Sequence, residues 1–280
     1  MNTIYLHIIS IALATSIACC LPGIFLVLRG VALMSDAISH AILPGIVLMF
    51  LVTHNLDSPW LIMGASLAGM ATVLLTEWII HTRKLKKDAA IGLVFPLFFS
   101  IGIILINLFT RNAHLDMDMV LLGELAFTPF NRLIIAGIDC GPSALYIMGF
   151  VACLNALLVF LFYKELHITT FDPALASMIG ISPLIMYYGL MLVTSITAVA
   201  AFNVVGSIVV VALMLAPAGT AYLLTNQLKT MIPTALLCAT TSTLLGYLCA
   251  HVADISIAGA IATMSGLLFF AVYGLAHRFA

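Results

Sequence analysis

The stretch VALMSDAISHAILPGIVLMFLV (Val31–Val52) is apolar except for a few small polar residues, one carboxylate and one imidazole, Asp36 and His40. A run of this length without turn residues other than Pro44-Gly45 reads as a helix long enough to cross a lipid bilayer. On a helix, residues four apart lie on one face, one turn from each other. The carboxylate and the imidazole are therefore neighbours that could hold one divalent cation between them. Insertion scales put a charge at the centre of a membrane helix at a cost of about 2.5–3.5 kcal/mol, so such groups usually line a path for something polar. Pro44 and Gly45 follow within one turn and are expected to break the helix and free backbone carbonyls. Ser39 offers a further, weaker oxygen. The plainer reading is structural, with His40 hydrogen-bonded and Asp36 capping a broken helix.

The rest of the chain sets this stretch in a membrane. Of its 280 residues, 64% are hydrophobic and 8% charged, against about 25% charged in a soluble domain. No polar stretch is long enough for a separate soluble domain, so residues 1–280 read as one all-α polytopic membrane domain. Breaks at charge clusters, Pro and Gly delimit nine spans: 4–27, 31–52, 60–80, 90–109, 143–163, 184–201, 203–224, 230–251 and 255–276. No basic residue precedes Arg29, so the charged n-region of a signal peptide is missing and 4–27 reads as a retained span. The six cysteines show no CxxC spacing and read as small apolar residues in helix interfaces.

Nine spans divide the basic residues unequally. Arg29, Arg83, Lys84, Lys86, Lys87, Lys164, Lys229 and Arg278 fall on one side, Arg111 and Arg132 on the other. The positive-inside rule makes the first side cytoplasmic, with the N-terminus outside and the C-terminus inside. If Arg29 marks the inner interface, an unbroken helix would carry Asp36 and His40 roughly 10 and 16 Å into the membrane, near the midplane where transporters hold their substrates.

Two loops exceed simple connectors. The outer one, 110–142, holds His114, Asp116, Asp118, Glu124 and Asp139. Its middle, MVLLGELAFTPF, is too apolar for a solvated loop and too short to span, and reads as a re-entrant or interfacial helix packed in protein. Glu124 is out of place there and is either a metal ligand, a gate element or an interfacial residue facing water. His114, Asp116 and Asp118 read as an acidic rim that raises the local cation concentration. His251 and Asp254 read as a loop cap.

The inner loop, 164–183, contains a short helix with both of its signals. Asp172 suits the N-cap, Pro173 the first helical position, and Gly180 the C-terminal closure. Leu175, Met178 and Ile179 form an apolar face between them. An unburied apolar face on a cytoplasmic helix points to a docking partner; the alternative is a helix lying on the membrane surface, which usually carries more Lys and Arg.

Several of these stretches resemble one family. VLRGVALMSDAISHAILPGI and FDPALASMIGI (Phe171–Ile181) are similar to signatures of the ABC-3 permeases, the membrane subunits of ATP-binding-cassette importers for zinc, manganese and iron. VVGSIVVVALMLAPAGTAYLL (Val204–Leu224) and DISIAGAIATMSG (Asp254–Gly266) agree with the same family. The resemblance implies a dimeric permease of the vitamin-B12-importer type (type II) in a bacterial inner membrane, its second protomer identical or paralogous. It implies two cytoplasmic ATPase subunits below and an extracytoplasmic metal-binding protein above. The helix from Asp172 to Gly180 would be the coupling helix that enters a groove on the ATPase.

The function expected is metal permeation, with the divalent ion as substrate, no permanently bound cofactor and no nucleic-acid partner. An ion-coupled secondary transporter working without an ATPase is the alternative. An enzyme finds no support, for neither HExxH nor GxSxG occurs. No Lys follows a Gly, so a Walker A motif is missing and any ATPase must be a separate chain. Asp and His suit Mn(II), Fe(II) and Zn(II) alike. The lack of Cys near Asp36 and the resemblance of DMDMVLLGELAFTPF to the manganese and iron branch favour those two metals.

Overall fold

A computed structural model describes residues 2–54, 60–109, 125–135 and 138–279. Among them, nine helices are long and apolar enough to cross a membrane. They are α1 (Asn2–Leu28), α2 (Leu33–Thr53), α3 (Trp60–His81), α4 (Lys87–Phe109), α5 (Ser143–Leu161), α8 (Pro183–Val205), α9 (Ser207–Leu224), α10 (Leu228–Ala253) and α11 (Ile257–Phe279). Two short helices, α6 (Tyr163–Phe171) and α7 (Pro173–Met178), lie between α5 and α8. The spans read from sequence match these helices closely. The exception is the α8–α9 boundary, which lies at Gly206 rather than between residues 201 and 203. Gly206 takes a φ of +81° that a side chain would resist, and Asn203 continues the helix before it.

The connection between α4 and α5 adds what the sequence did not suggest. Strand β1 (Arg132–Ile135) pairs antiparallel with β2 (Ile138–Pro142), with Ile135 opposite Ile138. Before it, Leu125–Phe127 is a turn and Thr128–Phe130 a 3-10 turn, with Leu125 and Pro129 buried. Met119–Glu124, the first half of the expected re-entrant segment, lies outside the described residues.

Helix α1 is the axis of the bundle. Ile11, Ala18, Cys19, Cys20, Ile24, Phe25 and Leu26 on it are fully buried, and it packs against α5, α8, α9 and α10. Helix α2 is held chiefly by α3 and α4. In lipid, apolar faces gain little by leaving the solvent, so close approach and interhelical hydrogen bonds do the holding. A Cβ on Gly23 would collide with the carbonyl oxygen of Met214, and one on Gly64 would stand 2.7 Å from that of Gly45. These contacts set α1 on α9 and α2 on α3. Asn155 of α5 donates from Nδ2 to the carbonyl of Ala18 (2.9 Å) and to Thr197 Oγ1 (2.8 Å), fastening α5 to α1 and α8. Large apolar side chains such as Trp78, Phe150, Phe160 and Phe270 point outward, as a lipid-facing surface requires. The cysteines are mixed: Cys19 and Cys20 are buried as expected, but Cys153 and Cys249 are exposed.

Candidate metal path and coupling helix

Helix α2 begins at Leu33, because Gly30 turns the chain at a φ of +64° immediately after α1. Asp36 is thus in the first turn, where the helix dipole favours a carboxylate. The pair stands roughly 4.5 and 10.5 Å from the start of α2, shallower along the helix than an unbroken run from Arg29 would place it. Helix α2 also runs unbroken through Pro44 and Gly45, contrary to expectation. Two close neighbours accommodate them: Gly102 of α4, where a Cβ would stand 3.0 Å from Pro44 Cδ, and Gly64 of α3. One part of the expectation survives, since Pro44 has no N–H to give the carbonyl of His40, its normal i−4 acceptor.

His40 Nε2 lies 3.4 Å from Asp36 Oδ1, with the side chains 19% and 43% exposed. Two donors each about 2.1 Å from one ion at the tetrahedral angle stand about 3.4 Å apart, which is the separation of this pair. Phe95 and Phe99 of α4 hold the imidazole, with ring centroids at 5.0 and 5.6 Å. The buried Nδ1 finds no hydrogen-bond partner among the described residues. Ser39 is fully buried, and its hydroxyl donates to the Ser35 carbonyl at 2.8 Å. Glu124 lies outside the described residues. Among the described residues, no group of three or more His, Cys, Asp and Glu could hold a metal ion. The arrangement is a pair of potential donor atoms that keeps partial exposure. Phe95 and Phe99 carried no signal in the sequence, since aromatic residues in an apolar span look like lipid-facing bulk.

At the far end of α1, Tyr5 and Tyr247 flank His251 with ring centroids at 5.3 and 6.3 Å. A cavity of about 370 Å³ opens there, lined by Tyr5, Leu125, Tyr247, His251 and Asp254 among others. Asp254 closes α10 in the left-handed conformation, as a loop cap should.

The short helix forms as its sequence signals. Asp172 Oδ1 accepts from the Leu175 N–H at 2.9 Å, and Pro173 opens α7. At its other end the N–H of Ile181 donates to Ala176 O and that of Gly180 to Ser177 O, with Gly180 at a φ of +85°. This is a Schellman closure. Ala176 is buried beneath, while Leu175, Met178 and Ile179 are 47%, 84% and 54% exposed. Phe171, also exposed, extends this apolar face and was not singled out from sequence. Arg29 stands near the base of this segment, its Nε and Nη2 donating to Thr170 Oγ1 (3.1 Å) and Thr169 Oγ1 (3.0 Å). Burial pulls the guanidinium down from its ordinary pKa, and nearby Tyr187 acts in the opposite sense.

The model of the ABC 3 transport family matches residues 1–276. The chain belongs to that family. It is 47% identical over 268 residues to the zinc transport system membrane protein TroD of Treponema pallidum, covering 96% of this chain and 73% of that one. It is 40% identical over 262 residues to the manganese transport system membrane protein MntD of Bacillus subtilis, covering 94% and 88%. Among solved structures, PsaBC from Streptococcus pneumoniae in complex with Fab superposes with a TM-score of 0.79 at 30% identity, over 96% of this chain and 90% of that one. An inward-facing metal-chelate-type ABC transporter shares the fold at 16% identity and a TM-score of 0.67.

Proposed function

We propose that this ABC-3 permease is the membrane subunit of an ATP-binding-cassette importer for a divalent transition metal. Its observation of record is the Asp36–His40 pair, an imidazole and a carboxylate at chelating distance on a helix of an otherwise apolar bundle. The relatives named for zinc and for manganese differ in cargo, and an N/O donor pair suits both metals and Fe(II) as well. In this reading the Asp36 carboxylate offsets the charge of the passing ion, and His40 Nε2 supplies the second donor. Two further ligands come from water, from the second protomer or from backbone near Pro44. A closed four-ligand cage would trap the cargo; a half-open one hands it on.

Helix α7 is the contact with a cytoplasmic ATPase, which supplies the energy that this chain has no nucleotide motif to harvest. The Arg29–Lys87–Lys164 end of the bundle faces the cytoplasm, the N-terminus lies outside, and a metal-binding protein delivers from the opposite face. The test is reconstitution of the permease with its ATPase and binding protein in proteoliposomes. Metal should accumulate only when ATP is present on the ATPase side. Accumulation driven by a proton or sodium gradient in the permease alone would establish the ion-coupled alternative.

A further inference from the structure

Arg29 performs no task in the reading above, yet it joins the two parts of the molecule that the reading needs. Its guanidinium bonds the hydroxyls of Thr169 and Thr170 across 140 and 141 residues of sequence. Thr169 is buried, and its own proton goes to the Glu165 carbonyl at 2.7 Å, which leaves its lone pairs for the arginine. These threonines end α6, and Thr170 is two residues from Asp172, the cap of α7. On the other side, Arg29 belongs to the turn that starts α2 and stands seven residues before Asp36. Tyr187, near the start of α8, lies close enough to act on its charge. The Arg29 side chain thus joins its own turn to α6 by hydrogen bonds, with α8 close by through Tyr187.

The type of bond matters as much as its place. A guanidinium is a rigid planar fork, so two donors from it fix the direction of α6 as well as its distance. Its acceptors are neutral hydroxyls, and among the described residues no carboxylate lies within ion-pair distance of it. Breaking a buried ion pair leaves an uncompensated charge and is strongly unfavourable, whereas a hydrogen bond from a charged group to a neutral hydroxyl is weaker and more readily exchanged. A joint with hydroxyl acceptors can therefore open and reclose within a transport cycle.

We propose that Arg29 is a positioning residue for transport: its clasp on Thr169 and Thr170 passes movement of the α6–α7 segment to the turn that orients α2, and with it Asp36 and His40. The proposal rests on the reading of α7 as the ATPase contact.

The test uses the complete transporter in proteoliposomes, with Mn(II), Zn(II) or Fe(II), whichever the unaltered complex accumulates best. Ions imported and ATP hydrolysed are counted together. Arg29→Gln, and separately Thr169→Val with Thr170→Val, should leave assembly and ATP hydrolysis in place and lower ions imported per ATP by about tenfold, the weight of one charged hydrogen bond. Combining the two sets should lower it no further, because they remove the same contact. Arg29→Lys, keeping the charge but losing the fork, should fall between. An unchanged ratio in the double threonine variant overturns the proposal, whether or not the arginine variants fold. The coupling reading is judged apart, by whether Met178→Asp with Ile179→Asp still binds the ATPase.

Discussion

His40 Nε2 and Asp36 Oδ1 stand 3.4 Å apart, one turn along α2, and among the described residues no third His, Cys, Asp or Glu joins them as a metal-holding group. Both side chains keep some exposure in an otherwise apolar helix, so neither is needed to fill the core. Asp36→Asn keeps size and hydrogen bonding but removes the charge that offsets a dication, and His40→Ala removes the nitrogen donor. Both variants should insert and bind the ATPase normally. Both should abolish metal accumulation in cells lacking other uptake systems. Full uptake by the two variants would make the pair structural and move the path elsewhere.

The apolar face of α7 gives a second prediction. Met178 is 84% and Ile179 54% exposed, so the permease itself should tolerate aspartates at both positions. In a groove on the ATPase they would be unpaired buried charges, at several kcal/mol per ion. Copurification of the ATPase should be lost while the amount of inserted permease stays the same.

Sidedness can be tested by labelling. The α3–α4 connection carries Arg83, Lys84, Lys86 and Lys87, all exposed. A Lys86→Cys variant should resist an impermeant thiol reagent added to intact cells and react after the membrane is opened. The parent chain is the control, since Cys153 and Cys249 are themselves exposed. Reaction at Lys86→Cys in intact cells would invert the topology.

Packing gives a fourth test. Gly23→Ala sets a methyl against the Met214 carbonyl oxygen, a backbone atom that cannot rotate aside. Overpacking of this kind costs about 1–3 kcal/mol, so the detergent-solubilised permease should unfold at lower temperature. Gly92→Ala makes the contrast: nothing lies within 4 Å of the new Cβ, and removing a helix-interior glycine should gain about 0.5–1 kcal/mol. Equal melting of the two variants would refute the close α1–α9 approach.

What the sequence could say followed from periodicity and length. Nine spans were visible because each apolar run is bounded by charge, Pro or Gly, and α7 was visible because Asp172, Pro173 and Gly180 are local signals acting on their own backbone. Helix α6 was missed because KELHITT is polar and reads as loop; its order comes from contacts such as Arg29 on Thr169 and Thr170, distant in sequence. The end of α8 lies later than the sequence suggests because Ala201–Val205 is apolar but for Asn203 and only the backbone of Gly206 marks the joint. At the site, the i, i+4 pair was legible. Its setting between Phe95 and Phe99 was not, since that depends on how α4 is rotated against α2.

Gly206 is the whole of the connection between α8 and α9. A one-residue joint has no slack. The two helices can pivot about it, but neither can slide along its axis without taking the other with it. Any rotation of α8 about this joint would therefore reach α9, where the Met214 carbonyl lies against Gly23, as a change of angle. The geometry is that of a lever with a fixed fulcrum, on which any displacement would be measured in degrees rather than ångströms.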